Sequence, residues 1–234
     1  MNKPTVQTAL ANPAKELALA CNQFLADSEV PVLLLIAGGS VRTDVLPYLD
    51  VELCTESVTL GILDERFTTH TAALNQGQLR ETKFYQRAVE HGAQEIVVGL
   101  HSDPEITAAA WEALWRDWKR TNPTGQVVVL AGVGDDGHIA GILPLTQEEL
   151  PAFTSESWLV EHVFSQSSNP YPHRLTPTFT WWQKEVAYVG IYMKGVKKQT
   201  ALEAVLAAEG DLLQTPARVV WQVPVSTIYT DLEE

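Results

Sequence analysis

The sequence predicts an α/β fold, a mostly parallel sheet with helices on both faces. Apolar runs at VLLLI (32–36), SVTLGIL (57–63), QVVVLAGVG (126–134) and VAYVGIYM (186–193) alternate with stretches of helical periodicity. Strands that are apolar on both sides belong to sheets buried on both faces. Three of these runs end in glycine or acidic loops, at 37–40, 64–66 and 132–138. Ligands bind beyond the carboxyl ends of parallel strands, so the fold should bring these three loops to one rim.

Taken in order, residues 5–27 read as one helix, with Val6, Leu10, Ala14, Leu17, Ala20 and Leu25 near helical spacing. The strand 32–36 stops at Gly38, Gly39 and Ser40, and a short helix follows near 41–49. The strand 57–63 ends in Asp64, Glu65 and Arg66. Helical segments near 71–91 and a weak strand at 94–99 lead to a Trp-rich helix near 103–120. There Trp111, Leu114, Trp115 and Trp118 share one face. After 126–134 come a strand at 158–164, a loop SQSSNPYPHR (165–174) and the strand 186–193. A helix near 196–208 and extended segments at 217–222 and 225–230 close the chain. With no internal repeat, low-complexity segment or long linker, the reading is a single domain over 1–234.

Composition sets the outer limits. Of the 234 residues, 45% are hydrophobic and 19% charged, enough apolar material for a sizeable core. No apolar run approaches the ~20 residues of a membrane helix, and the N-terminus lacks the basic-then-apolar pattern of a signal peptide. Cys21 and Cys54 are the only cysteines, too few for a disulfide framework or a Cys-based zinc site. A cytoplasmic location is the expectation. A net charge of −13 argues against nucleic acid or an anionic membrane as partner, but not against a small anionic substrate. His70, His91, His101, His162 and His173 have no metal-site spacing, so no metal is expected. Oligomeric state is open between a monomer and a small homo-oligomer.

The chemistry-bearing residues cluster in the loops. In AGGS, Gly38, Gly39 and Ser40 can bring backbone N–H groups to an anion at a helix start, and Arg42 adds charge. A plain strand-to-helix turn reads equally well there. DER places Asp64, Glu65 and Arg66 at a strand end, where Arg66 can hold a substrate oxygen or phosphate; Glu65 fits an ion-pair network that fixes the loop. GVGDDGH combines three glycines with Asp135, Asp136 and His138. A neutral His138 can take a proton from water while Asp136 holds its tautomer, and Gly134 lets the backbone curl round a ligand. A helix-capping turn is the plainer alternative. Arg174 and Lys198 are further anion-binding candidates. Lys197 and Lys198 stand early in a helix, against the usual preference for acids at that end.

The ordered series AGGS, GILDER, LAGVGDDGHIAGILP, HRLTPT, MKGVKKQTALEAVL and PARVV resembles the 6-phosphogluconolactonase family, relatives of the glucosamine-6-phosphate deaminases. The resemblance implies a Rossmann-like α/β fold of the glucosamine-6-phosphate deaminase/ribose-5-phosphate isomerase kind. It also implies cofactor-independent hydrolysis of 6-phospho-D-glucono-1,5-lactone in the pentose phosphate pathway. By the same resemblance His138 is the general base and Asp136 its partner. Gly38, Gly39, Ser40, Arg174 and Lys198 surround the phosphate, and Arg66 contacts the reacting end or the phosphate. The deaminases carry glutamate before the proline of the GHxA segment, where this chain has Leu143. That leaves a related isomerase or deaminase, or a non-catalytic sugar-phosphate binder, as the alternatives. The chain departs from the family at Ala37, Val41 and Arg42, at Gly141, and after DER, where His70 and Leu74-Asn75 match only in part.

Overall fold

A computed structural model describes residues 2–164 and 170–233. Ten strands and seven α-helices are defined among these residues. The strands are β1 (Thr5–Gln7), β2 (Val32–Ile36), β3 (Val58–Ile62), β4 (Glu65–Arg66), β5 (Gln94–Glu95), β6 (Gln126–Gly132), β7 (Leu159–Val163), β8 (His173–Pro177), β9 (Val186–Met193) and β10 (Val225–Thr230). The helices are α1 (Pro13–Asp27), α2 (Asn75–Arg80), α3 (Lys83–His91), α4 (Pro104–Thr121), α5 (Leu150–Phe153), α6 (Phe179–Glu185) and α7 (Gln199–Leu206).

Seven strands form a parallel sheet in the order β1-β10-β9-β6-β2-β3-β5. All five residues of β2 and all five of β3 are buried, so both faces of the sheet are covered. From β2 the chain builds outward through β3 to β5 on one side, and from β6 through β9 to β10 on the other. The topological switch point therefore lies between β2 and β6, whose carboxyl ends carry the 37–40 and 132–138 loops. The expected ligand crevice sits there.

Packing follows from residue size. Helix α1 lies on β9 and β10 and comes so close that a Cβ at Gly190 would collide with Leu17 Cδ1. Trp111, Trp115, Trp181 and Trp182 are all at most 1% exposed and form a chain of ring contacts 4.8–5.6 Å apart that ties α4 to α6. Trp118 Nε1 donates to Thr59 Oγ1 at 2.9 Å, linking α4 to β3. No helix among the described residues is long and apolar enough to cross a membrane.

Several elements differ from the sequence reading. Residues 5–7 are an edge strand paired with β10, not the start of a helix. Helix α1 begins only at Pro13, capped by the Asn12 side chain accepting from Lys15 N; Pro favours the first helical position because its missing N–H is not needed there. Residues 216–222 are a 3-10 turn instead of an extended segment. The weak strand at 94–99 shrinks to two residues. On α4, Leu114 is 41% exposed, so the buried face carries Trp111, Trp115 and Trp118 without it. His173 and Arg174 belong to a strand rather than to a loop, while positions 165–169 of that loop lie outside the described residues.

A second sheet, β4-β8-β7, is antiparallel and was not foreseen. It closes over the carboxyl end of the main sheet, and its register matters for the site. Arg66 stands directly opposite Arg174, and Arg174 opposite His162.

Candidate active site

The three loops meet at one rim, around a cleft of about 450 Å³. Gly38, Gly39 and Ser40 line it from the β2 loop, and Asp64 and Arg66 from the end of β3 and from β4. Gly134, Asp136 and His138 come from the β6 loop, Arg174 from β8, and Lys198 from the turn before α7. Ten of the eleven candidate residues thus share one cavity, the exception being Arg42. Residues 41–45 form one wide helical turn whose Val41 and Val45 face the core at 0% exposure, and this rotates Arg42 to a neighbouring cleft.

The loop after β6 is folded back on itself. Gly134 N donates to His138 O at 2.9 Å, Gly137 N to Gly134 O at 3.1 Å, and Val133 bridges Ile139. Gly137 has φ +82°, a left-handed conformation natural only to glycine. This fold sets His138 Nδ1 2.6 Å from Asp136 Oδ1, which also accepts from His138 N at 3.1 Å. The imidazole lies over Gly134, where a Cβ would collide with His138 and come within 2.6 Å of Asp136 Oδ1. The hydrogen bond from His138 holds the Asp136 carboxyl down at about 2. The ionised carboxylate thus fixes the proton on Nδ1 and leaves Nε2 as the basic nitrogen.

In the same cleft, Arg66 and Arg174 stand opposite each other in the antiparallel pair β4–β8. Like charges at such positions repel. The Nε atoms of both are buried without a partner. Arg66 Nη1 donates to Ala73 O, and Arg174 lies over the Phe164 ring at 5.2 Å. Burial lowers the Arg174 pKa, the Asp64 carboxylate raises it, and Arg66 lowers it again. Asp64 is 6% exposed. Burial pushes its pKa up, while Arg174, Arg66 and His138 pull it down. Lys198 Nζ reaches Asp135 Oδ1 at 2.7 Å. The N–H groups of Gly38 and Gly39 have no acceptor among the described residues.

Glu65 has a supporting place. It is 2% exposed and accepts from Arg66 N at 2.7 Å, Asn75 N at 2.6 Å and Gln76 N at 2.9 Å. Leu74, the N-cap of α2, has no side-chain oxygen, so Glu65 satisfies the first two N–H groups of that helix from outside. Burial pushes its pKa to about 7, against the pull of those three N–H donors. Because this folded value lies above 4.5, the group lowers stability as pH rises from 4.5 to about 7. Glu65→Gln is expected to remove that slope. It also sets an amide NH2 against one of the three N–H donors, at a cost of about 1–3 kcal/mol. Urea unfolding at pH 5 and pH 8 checks both effects.

Asn75 is the cleft residue to which the sequence reading gave no role. It is 3% exposed, donates to Asp64 O at 2.8 Å, and sets its Cγ 2.9 Å from where a Cβ of Gly38 would stand. It locks the glycine loop to the strand end of β3. Its signal in the sequence was the partial family match of Leu74-Asn75 after DER. Arg218, in the PARVV segment, lies away from the cleft. Its guanidinium donates to the carbonyls of Ala204, Val205 and Ala207 and so caps α7. Among the described residues no cluster of three or more His, Cys, Asp or Glu could hold a metal ion.

Known proteins resemble this chain. Residues 4–229 match the family described as glucosamine-6-phosphate isomerases/6-phosphogluconolactonase. A Caenorhabditis elegans protein provisionally named a 6-phosphogluconolactonase is 28% identical over 179 residues, which is 71% of this chain and 63% of that protein's length. The 6-phosphogluconolactonase of Trypanosoma brucei superposes with a TM-score of 0.74 at 17% identity, covering 98% of this chain and 97% of that one. That of Shewanella baltica gives 0.72 at 20% identity, with 97% of each chain covered. That of Plasmodium vivax gives 0.76 at 11% identity, covering 100% of this chain and 92% of that one. At such identities the solved structures speak for the fold alone, but the family match runs through every loop of the cleft. The chain belongs to the glucosamine-6-phosphate isomerase/6-phosphogluconolactonase family.

Proposed function

We propose that the protein hydrolyses 6-phospho-D-glucono-1,5-lactone to 6-phosphogluconate, in the cytoplasm, as a step of the pentose phosphate pathway. The observation that carries this reading is the Asp136–His138 pair seated on Gly134, in one cleft with Arg66 and Arg174, which stand opposite each other in the β4–β8 pair. A base and several cations lining one cleft suit a phosphorylated ester.

In this mechanism His138 Nε2 takes a proton from water, and the oxygen adds to the lactone carbonyl carbon. The imidazolium formed is stabilised by the ionised Asp136. The tetrahedral oxyanion collapses, the bond from the carbonyl carbon to the ring oxygen breaks, and that oxygen takes the proton back from His138. The amides of Gly134 and Gly137 are spent inside their loop; the donors that remain for the oxyanion and the phosphate include Arg66, Arg174, Lys198 and the amides of Gly38 and Gly39. Preorganised donors of this kind contribute about 3 kcal/mol each.

His138→Ala is expected to lower hydrolysis by about 10²–10⁴-fold, the range for loss of a general base. The measurement is lactone disappearance, corrected for the spontaneous rate. Equal rates for the two proteins would sink the proposal. Leu143 lines the cleft where the deaminases carry glutamate, which disfavours ring-opening isomerisation. A protein that only binds sugar phosphates would hold 6-phosphogluconate with no turnover dependent on His138. Two unpaired buried thiols, Cys21 and Cys54, support the cytoplasmic placement.

A further inference from the structure

A second cleft, of about 490 Å³, opens on the far side of the 41–45 turn. It falls in the ~300–1,000 Å³ range of small-molecule sites. Three of the chain's 16 basic residues, Arg42, Lys83 and Arg87, line it, and no acidic residue does. None of the three has a hydrogen-bond or ion-pair partner among the described residues. Arg42 Nε is sealed from solvent and still unpartnered. Buried donors in native proteins are nearly always satisfied, which makes this orphan unusual.

The charge arrangement is unfavourable as it stands. Lys83 and Arg87 are four residues apart on one face of α3, where like charges repel. Lys83 is also the first residue of that helix, at the end whose dipole disfavours a cation. In a chain of net charge −13, three unpaired cations round one cavity mark a local positive potential against a negative background. The rest of the lining is apolar or hydroxyl-bearing, with Pro47 exposed and Leu49 and Phe84 each 6% exposed.

We infer that this cleft binds a small organic phosphate with a flat apolar body, of the nucleoside diphosphate class, at a site separate from the lactone cleft. The phosphates bridge Arg42, Lys83 and Arg87, and the base lies against Pro47 and the small exposed parts of Leu49 and Phe84. Neighbouring residues of one segment line the two clefts, Gly38, Gly39 and Ser40 the first and Arg42 and Thr43 the second.

The test is calorimetric titration of the whole protein with ADP, adenosine and inorganic pyrophosphate, each repeated with 6-phosphogluconate present in excess. ADP is expected to bind in both conditions. Adenosine and pyrophosphate, each lacking half the recognition, are expected to bind at least tenfold more weakly. Lys83 and Arg87 are exposed, so Lys83→Ala/Arg87→Ala should fold normally, and it is expected to weaken ADP at least tenfold. No ADP binding to the parent protein, or equal binding to the double variant, would overturn the site. Pyrophosphate binding as tightly as ADP would overturn the apolar half of the assignment. Loss of ADP binding when 6-phosphogluconate is added would overturn its separateness. None of these readouts uses lactone turnover, so the outcome stands apart from that of His138→Ala.

Discussion

Gly134→Ala is expected to abolish most of the hydrolysis while leaving the protein folded. The added methyl group has no space: it would collide with His138 and approach Asp136 Oδ1 to 2.6 Å. Real Cβ atoms do not tolerate such contacts, so the imidazole must leave its place. His138 is 38% exposed at its side chain and can swing into the cleft, which keeps the cost to stability near the low end of the ~1–3 kcal/mol typical of overpacking. Catalysis has no such escape. With the Nδ1–Oδ1 bond broken, nothing fixes the tautomer, and the base no longer faces the substrate. The expected fall in kcat is about 10²–10⁴-fold, matching His138→Ala. Near-equality of the two variants, with a thermal midpoint close to the parent's, is the signature. A Gly134→Ala protein with parental kcat would show that the pair is not the base.

How much of this was legible beforehand depends on the range of the interactions involved. Buried runs such as Val32–Ile36 and Val186–Met193 are local signals of burial, and they became strands with the expected bounds. The meeting of the three loops also followed from a rule about strand ends. What escaped were features decided by partners far along the chain. Thr5–Gln7 is a strand only because β10, more than 200 residues later, offers it an edge. Val6 and Leu10 mimicked helical spacing by coincidence. The facing of Arg66 and Arg174 depends on the register of an antiparallel sheet that no local pattern announces. Arg42 sits next to the glycine loop in sequence, yet the burial of Val41 and Val45 turns it to another cavity. Proximity along the chain was a poor guide there because successive residues of a helical turn point in different directions.

That same register supports the second large effect. Arg174→Met is expected to raise KM for the phosphorylated lactone by about 10²-fold or more, with a much smaller change for the unphosphorylated lactone. Two guanidinium groups set opposite each other repel, and Asp64, buried beside them, offsets only part of that charge. A dianionic phosphate between them relieves the repulsion and accepts from the guanidinium groups. Truncating one side of a desolvated charge pair costs about 2–5 kcal/mol, which sets the size of the KM effect. Methionine keeps the unbranched aliphatic stem that packs near Phe164 and over the Cβ position of Gly141, so loss of packing is not the cause being measured. The phosphate dependence is what separates the roles. If Arg174 acts on the reacting carbonyl instead, both lactones suffer equally and the loss appears in kcat. If it holds the phosphate, the unphosphorylated substrate, which never drew on that contact, reacts at a rate close to the parent's.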